Sequence, residues 1–283
     1  LHYKDEKIQR EELENVTNLD LEEQAKIELV DNDTEQQLSS EQAELQHNNE
    51  QAEQLLNEKD TDRLIGWPQF LIFIGIYLGI SFTIGIVVGI IGASNNIDIE
   101  QIFTGYQAGI IEFLVIMVAL MFQKKIRRLV WESFSISPLK EMKTYGFMLG
   151  GFLIFYLTQY ILIELVAIED ASQQPADLGF NNLSGFSLEY ILFFVSIALL
   201  VPLYEEVLYR GVLHRFLEVR YNFWVGITIS SLVFGLLHIG FPISATIMGI
   251  VMVVLFKMTK SIIPSILLHI LWNTFAVIVW STM

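Results

Sequence analysis

From residue 68 onward this chain is a succession of long apolar runs, and that leaves few folds open to it. A hydrocarbon layer about 30 Å thick takes roughly 20 apolar residues to cross as a helix. Runs near or above that length lie at 68–91, 105–122, 145–168, 188–215, 222–240, 243–258 and 261–281. They do not alternate apolar with polar residues, as the strands of a membrane barrel do. A helix satisfies its own backbone groups inside lipid, so such runs become spanning helices. The expectation is an all-α, polytopic membrane protein of about seven transmembrane helices, multi-pass in the cell membrane with the lipid bilayer as its solvent. Pro68 and Pro264 suit the first turns of the first and last spans.

Residues 1–63 are of another kind. They hold 19 of the 32 acidic residues and 6 of the 17 basic ones, and so carry −13 of the net charge of −15. They are rich in Glu, Gln and Asn, with scattered leucines such as Leu38, Leu45, Leu55 and Leu56. This composition predicts a disordered, solvated tail; sustained heptads for a coiled coil are missing. Residues 64–283 form the membrane domain. The acidity is thus local to the tail, and no basic tract points to nucleic acid. The absence of cysteine excludes disulfides, thiolate catalysis and Cys-ligated zinc.

Lys and Arg set the orientation. Lys124, Lys125, Arg127, Arg128, Lys140 and Lys143 follow the second run, Arg215 and Arg220 the fourth, and Lys257 and Lys260 the sixth. The loops at 92–104 and 169–187 hold Asp98, Glu100, Glu169, Asp170 and Asp177 and no base. Seven spans place every basic loop on one side, so the tail is predicted to be cytoplasmic. In the first run, Gly75 with Gly79 and Gly85 with Gly89 have the spacing that lets helices approach closely, although membrane helices are glycine-rich in any case.

Three late runs carry groups that a bilayer penalises by roughly 2.5–3.5 kcal/mol each on insertion scales. Glu206 and Arg210 are four apart, so they share a helical face and can pair, while Glu205 points about 100° away. His238 follows Phe234 by four, and Asn273 follows His269 by four. Each pattern alone has an ordinary explanation: a membrane-edge glutamate pair, a satisfied histidine, an interhelical hydrogen bond. Together they are what a hydrolytic site needs. A glutamate can take a proton from water as general base. Histidine can hold the same water, bind a metal or protonate a leaving amine. Asn273 offers N–H groups to an oxyanion. Glu112, Gln159, Glu164 and His214 lack such a partner set and are expected to be structural or supporting, His214 at the membrane interface.

Glu205-Glu206-xxx-Arg210, Phe234-xxx-His238 and His269-xxx-Asn273, in order and in separate late spans, resemble the motifs of the CPBP intramembrane proteases, over about residues 188–275. That family includes the CAAX-prenyl endopeptidases and bacterial proteins of bacteriocin processing and self-immunity. The resemblance implies a polar intramembrane cavity between spans, a catalytic core at about 188–275, and cleavage of a membrane-embedded or membrane-associated peptide or protein. It implies Glu205 as activating base, with Glu206, Arg210, His238, His269 and Asn273 in support. It admits either a metal-free water attack or a zinc held by His238, His269 and Glu205 with a fourth position open; the adjacent-residue spacing of a HExxH helix is absent. The alternative is a non-catalytic scaffold or immunity protein that regulates a partner membrane or cell-wall enzyme. A transporter would be expected to show inverted repeats, and the two halves share no visible similarity.

Ideal helices that each begin at a membrane face would put Glu205 near the cytoplasmic side and His238 toward the outside. For the two to meet, either Leu188–Val195 must be a lead-in to the fourth span, or that helix must tilt or break at Pro202.

Overall fold

The computed structural model describes residue 46 and residues 65–95, 102–103, 105–183 and 187–282. The expected tail, apart from Gln46, and the acids Asp98 and Glu100 lie outside the described residues. The chain divides into Leu1–Asp62 and Arg63–Met283, and the membrane body is the second of these units. It runs α1 (Trp67–Asn95), α2 (Tyr106–Phe122), α3 (Lys124–Trp131), α4 (Met142–Leu165), α5 (Leu188–Arg220), α6 (Phe223–Leu236), α7 (Pro242–Thr259) and α8 (Ile263–Trp280), with no strand among the described residues. The protein is a polytopic all-helical membrane protein.

All seven apolar runs are helical, but they differ in reach. Five helices, α1, α4, α5, α7 and α8, are long and apolar enough to cross a bilayer, and α2 joins them if it is counted with α3, from which it is bent by 113°. The fifth expected span is α6, which has only 14 residues. At 1.5 Å per residue that is about 21 Å, short of the hydrocarbon thickness. Its ends explain the length. Asn222 caps its first turn, accepting the Val225 N–H at 3.0 Å. At the other end, Gly240 takes a left-handed φ of 92°, and Pro242 forces Phe241 out of the helical region.

The basic loop after the second run is itself the short helix α3. Ile126 and Val130 are buried beneath it, while Arg127 donates to the Met121 carbonyl at 2.8 Å and so serves the end of α2. A short amphipathic helix with bases outward suits the lipid headgroup region.

α5 is the centre of the bundle. One side packs Val207, Val212 and Phe216 against Phe73 of α1, Ile116 of α2 and Ile126 of α3. The other side packs Tyr209 against Phe234 of α6, Met252 of α7 and Leu268 and Trp272 of α8. At 33 residues, about 50 Å, α5 exceeds the bilayer core, so its depth cannot be counted from its first residue. It does not break at Pro202. Instead it widens into π turns over Val195–Leu200 and Val207–His214, on either side of the proline. In π register the amide of residue 202 would serve the Ile197 carbonyl, and proline has no N–H. The Asn273 Nδ2 group donates to that carbonyl from α8 at 2.9 Å.

Close helix approach occurs at other glycines than those of the first run. A Cβ on Gly75, Gly79, Gly85 or Gly89 would meet open space. A Cβ on Gly235 would lie 2.5 Å from the Pro242 carbonyl oxygen and 2.8 Å from the Thr246 nitrogen, and one on Gly249 would lie 3.0 Å from Ser231 Cα. These glycines let α6 and α7 touch backbone to backbone, as small residues do in lipid. Gly235→Ala is expected to destabilise the protein by about 1–3 kcal/mol through overpacking. A melting temperature unchanged in detergent would contradict this packing.

Candidate active site

The residues singled out in the sequence arrive from three elements. α5 brings Glu205, Glu206 and Arg210; the turn after α6 brings His238; α8 brings His269 and Asn273. Glu206 and Arg210 are wholly buried, and Arg210 Nη1 donates to Glu206 Oε1 at 2.7 Å. His269, also buried, places Nδ1 3.1 Å from the same Oε1. An ionised carboxylate only accepts, so Nδ1 carries the proton and donates. That leaves Nε2 facing Glu205 Oε2 at 3.7 Å, beyond hydrogen-bond reach.

Phe234 ties the cluster together. The Arg210 guanidinium lies 4.4 Å over its ring, the His238 ring 4.4 Å away centroid to centroid, and the His269 ring 6.0 Å away edge-on. His238 Nδ1 is 2.7 Å from the Phe234 carbonyl. Since a carbonyl only accepts, Nδ1 is the donor, and Nε2 is left for other chemistry. Glu206 and Arg210 thus form a buried ion pair braced by His269 and Phe234, and Glu205 is held apart from it. The Glu205 side chain is 12% exposed, and its Oε2 has no hydrogen-bond partner.

Glu205, His238, His269 and Asn273 all line one cavity of about 400 Å³. Asn273 has one N–H engaged by Ile197, so one remains for the cavity. The depth conflict between Glu205 and His238 is therefore absent from the fold. It came from treating both helices as starting at a membrane face, whereas α5 is overlong and α6 is short. The cavity is closed on another side by α2 and α4, through Gly109, Glu112 and Gln159, and by the connection between α4 and α5, through Ala171, Gln174 and Asp177.

Several side chains carry more than the sequence suggested. Glu112 accepts the Tyr77 hydroxyl at 2.8 Å and lines the cavity with Gln159 and Tyr204. A charge inside a span marked Glu112 as notable, but nothing in the sequence pointed to Tyr77. Glu169 reads as a loop acid but is buried. It accepts from both backbone N–H groups at the start of α7, those of Ile243 and Ser244, and from the Ser244 hydroxyl. The neighbouring Asp170 N–H donates to the Gly240 carbonyl at 2.9 Å, so this connection buttresses the turn that carries His238. The Asp170 carboxyl accepts the Ser172 N–H, which holds it below the usual carboxylate range. His214, expected near the cytoplasmic end of its span, lies six residues before the end of α5. It is wholly buried beside Glu218, with Nε2 at 3.4 Å from Oε2. Glu164 is exposed.

The side chains considered for zinc do not form a ligand set as arranged. Among the described residues no three His, Asp or Glu side chains converge to hold a metal ion. The Nδ1 contacts of His269 to Glu206 and of His238 to the Phe234 carbonyl leave both Nε2 atoms free, so the hydrogen bonds themselves do not bar a ligand role.

Residues 187–275, about a third of the chain, match the family model of the Rce1-like type II CAAX prenyl endopeptidases. This agrees with the resemblance carried by the three motifs, all of which fall within the match. No curated protein and no solved structure matches the chain.

Proposed function

We propose that this chain, which over residues 187–275 belongs to the Rce1-like type II CAAX prenyl endopeptidase family, is an endopeptidase that cleaves a membrane-embedded substrate with water activated by Glu205. The family is one of membrane proteases. The observation that carries the finer reading is the contrast between two adjacent glutamates. Glu206 is consumed by Arg210 and His269, while Glu205 faces the cavity with Oε2 unpartnered.

In the proposed step, Glu205 takes a proton from water as the water oxygen bonds to the scissile carbonyl carbon. The oxyanion that develops is met by the free Asn273 N–H and, when its Nε2 is protonated, by His238. Collapse breaks the C–N bond, and the proton held by Glu205 goes to the leaving amine, so the glutamate is regenerated. Arg210 and Glu206 act on His269 rather than on the substrate. Leu237 and Ile239 line the cavity and are exposed apolar residues, which suits a substrate arriving from lipid. The orientation proposed from the basic loops puts the tail in the cytoplasm.

The test is purified protein in lipid nanodiscs against a library of membrane-spanning reporter peptides, with products read by mass spectrometry. Wild type is expected to cleave, and Glu205→Ala and His238→Ala to lose most of that activity. Undiminished cleavage by both variants would overturn the reading. Cleavage is also expected to survive chelation. Loss on chelation with recovery on adding zinc would instead support the His238–His269–Glu205 zinc set. A cellular phenotype fully rescued by Glu205→Ala would favour the scaffold or immunity role.

A further inference from the structure

The cavity has two acidic walls, and the proposed chemistry uses only one. Glu112 sits on α2, outside the family-matched segment, and faces the same space as Glu205, His238 and His269. Its carboxylate is half-buried, seven residues into an apolar helix, and the hydroxyl of Tyr77 on α1 donates to Oε2 at 2.8 Å. Ser81 is at the limit of hydrogen-bond distance from Oε1, at 3.5 Å. Among the described residues Glu112 has no cationic partner, and the cavity lining contains Glu112, Asp177 and Glu205 but no Lys or Arg. A carboxylate at membrane depth is costly unless it is paired. The bases of the membrane body that could have served are occupied elsewhere: Arg210 by Glu206, and Arg215 by the Leu129 carbonyl and Ser133, both at 2.8 Å.

We infer that Glu112, held by Tyr77, is a specificity residue that receives a cationic side chain, Lys or Arg, of the polypeptide being cleaved. This rests on the endopeptidase reading above. A cavity of about 400 Å³ admits a scissile peptide and neighbouring side chains but no folded domain. A bound cation supplies the charge that Glu112 lacks and fixes the register of the chain against Glu205. An acidic side chain brought to the same place meets the negative charge of Glu112 and is repelled. Glu112 lies beyond the segment that carries the catalytic motifs, so selectivity could change on α2 without disturbing the catalytic cluster.

The experiment takes the best-cleaved reporter peptide and scans each position flanking the scissile bond as Lys, norleucine or Glu. In wild type, at one position, the Lys peptide is expected to exceed norleucine by about 10–100-fold in kcat/KM, mostly through KM, the range a charge-assisted hydrogen bond supplies. The Glu peptide is expected to fall below both. Glu112→Gln should bring the Lys and norleucine peptides within about 3-fold of each other, and Glu112→Asp should keep the preference. These are ratios within one preparation, so a partly unfolded variant does not alter them. Equal cleavage of all three peptides by wild type, or a Lys preference that survives in Glu112→Gln, would overturn the cation site alone. If Glu112→Gln does not fold, the wild-type series decides. Cleavage of no peptide by wild type would overturn the endopeptidase reading itself.

Discussion

Arg210→Met is expected to cost about 3–5 kcal/mol of stability, the penalty typical of leaving one partner of a buried ion pair uncompensated. The cost comes from where the charge is left. Glu206 is fully buried, and its Oε1 accepts from both Arg210 and His269, while its Oε2 has no partner at all. Without the guanidinium, the carboxylate keeps one histidine N–H in otherwise apolar surroundings. The same change removes a cation from the face of Phe234, a contact worth up to about 2 kcal/mol when desolvated. Glu206→Gln should be damaging for the mirror reason, since Arg210 then has no anionic partner, only neutral acceptors such as the distant Gly249 carbonyl, at 3.5 Å, and the Phe234 ring. The double variant Glu206→Gln/Arg210→Met should recover much of the loss, because no unpaired charge remains. Thermal denaturation in bicelles across the four proteins gives the coupling directly. Strict additivity, or an Arg210→Met protein within about 0.5 kcal/mol of wild type, would mean that the pair is not the bracket described.

How far the sequence could be read follows from which interactions are local. The helices were legible because apolar runs of membrane length have one way to satisfy their backbones. Glu206 with Arg210 was legible because both sit on one helical face, four residues apart. The convergence of His238 and His269 on α5 was available only through motif resemblance, since no spacing rule links residues on separate helices. What failed to show was geometry set by distant contacts. The length of α6 depends on Asn222 and on Gly240 packing against the Asp170 carbonyl. The cap of α7 is a glutamate 75 residues upstream. The Asn273 amide is half spent on a carbonyl that Pro202 leaves unserved, a pairing visible only once α8 lies beside α5. The bend between α2 and α3 likewise turned an expected loop into a helix.

The two glutamates of the motif are expected to separate cleanly by substitution. Glu205→Gln should lower kcat by about 10²–10⁴-fold, the usual contribution of a general base, or roughly 2.7–5.4 kcal/mol of transition-state stabilisation. Glutamine keeps the volume and can still hold a water, but it cannot take the proton. Stability should be unchanged or slightly raised. Oε2 of Glu205 has no hydrogen-bond partner to lose, and the substitution removes a negative charge next to Glu206. Glu206→Gln should instead lose stability and activity together, because it unbinds Arg210 and frees His269 to turn. Glu205→Asp keeps the charge but withdraws it by one methylene. Since about 1 Å of misplacement can cost 10²-fold, it should remain well below wild type. Measuring kcat, KM and melting temperature on the same preparations distinguishes a reactive group from a structural one. A Glu205→Gln protein that cleaves within about 3-fold of wild type would move the base elsewhere. Glu112 would be the next carboxylate to test, as it lines the same cavity from α2 with a hydroxyl already bound to it.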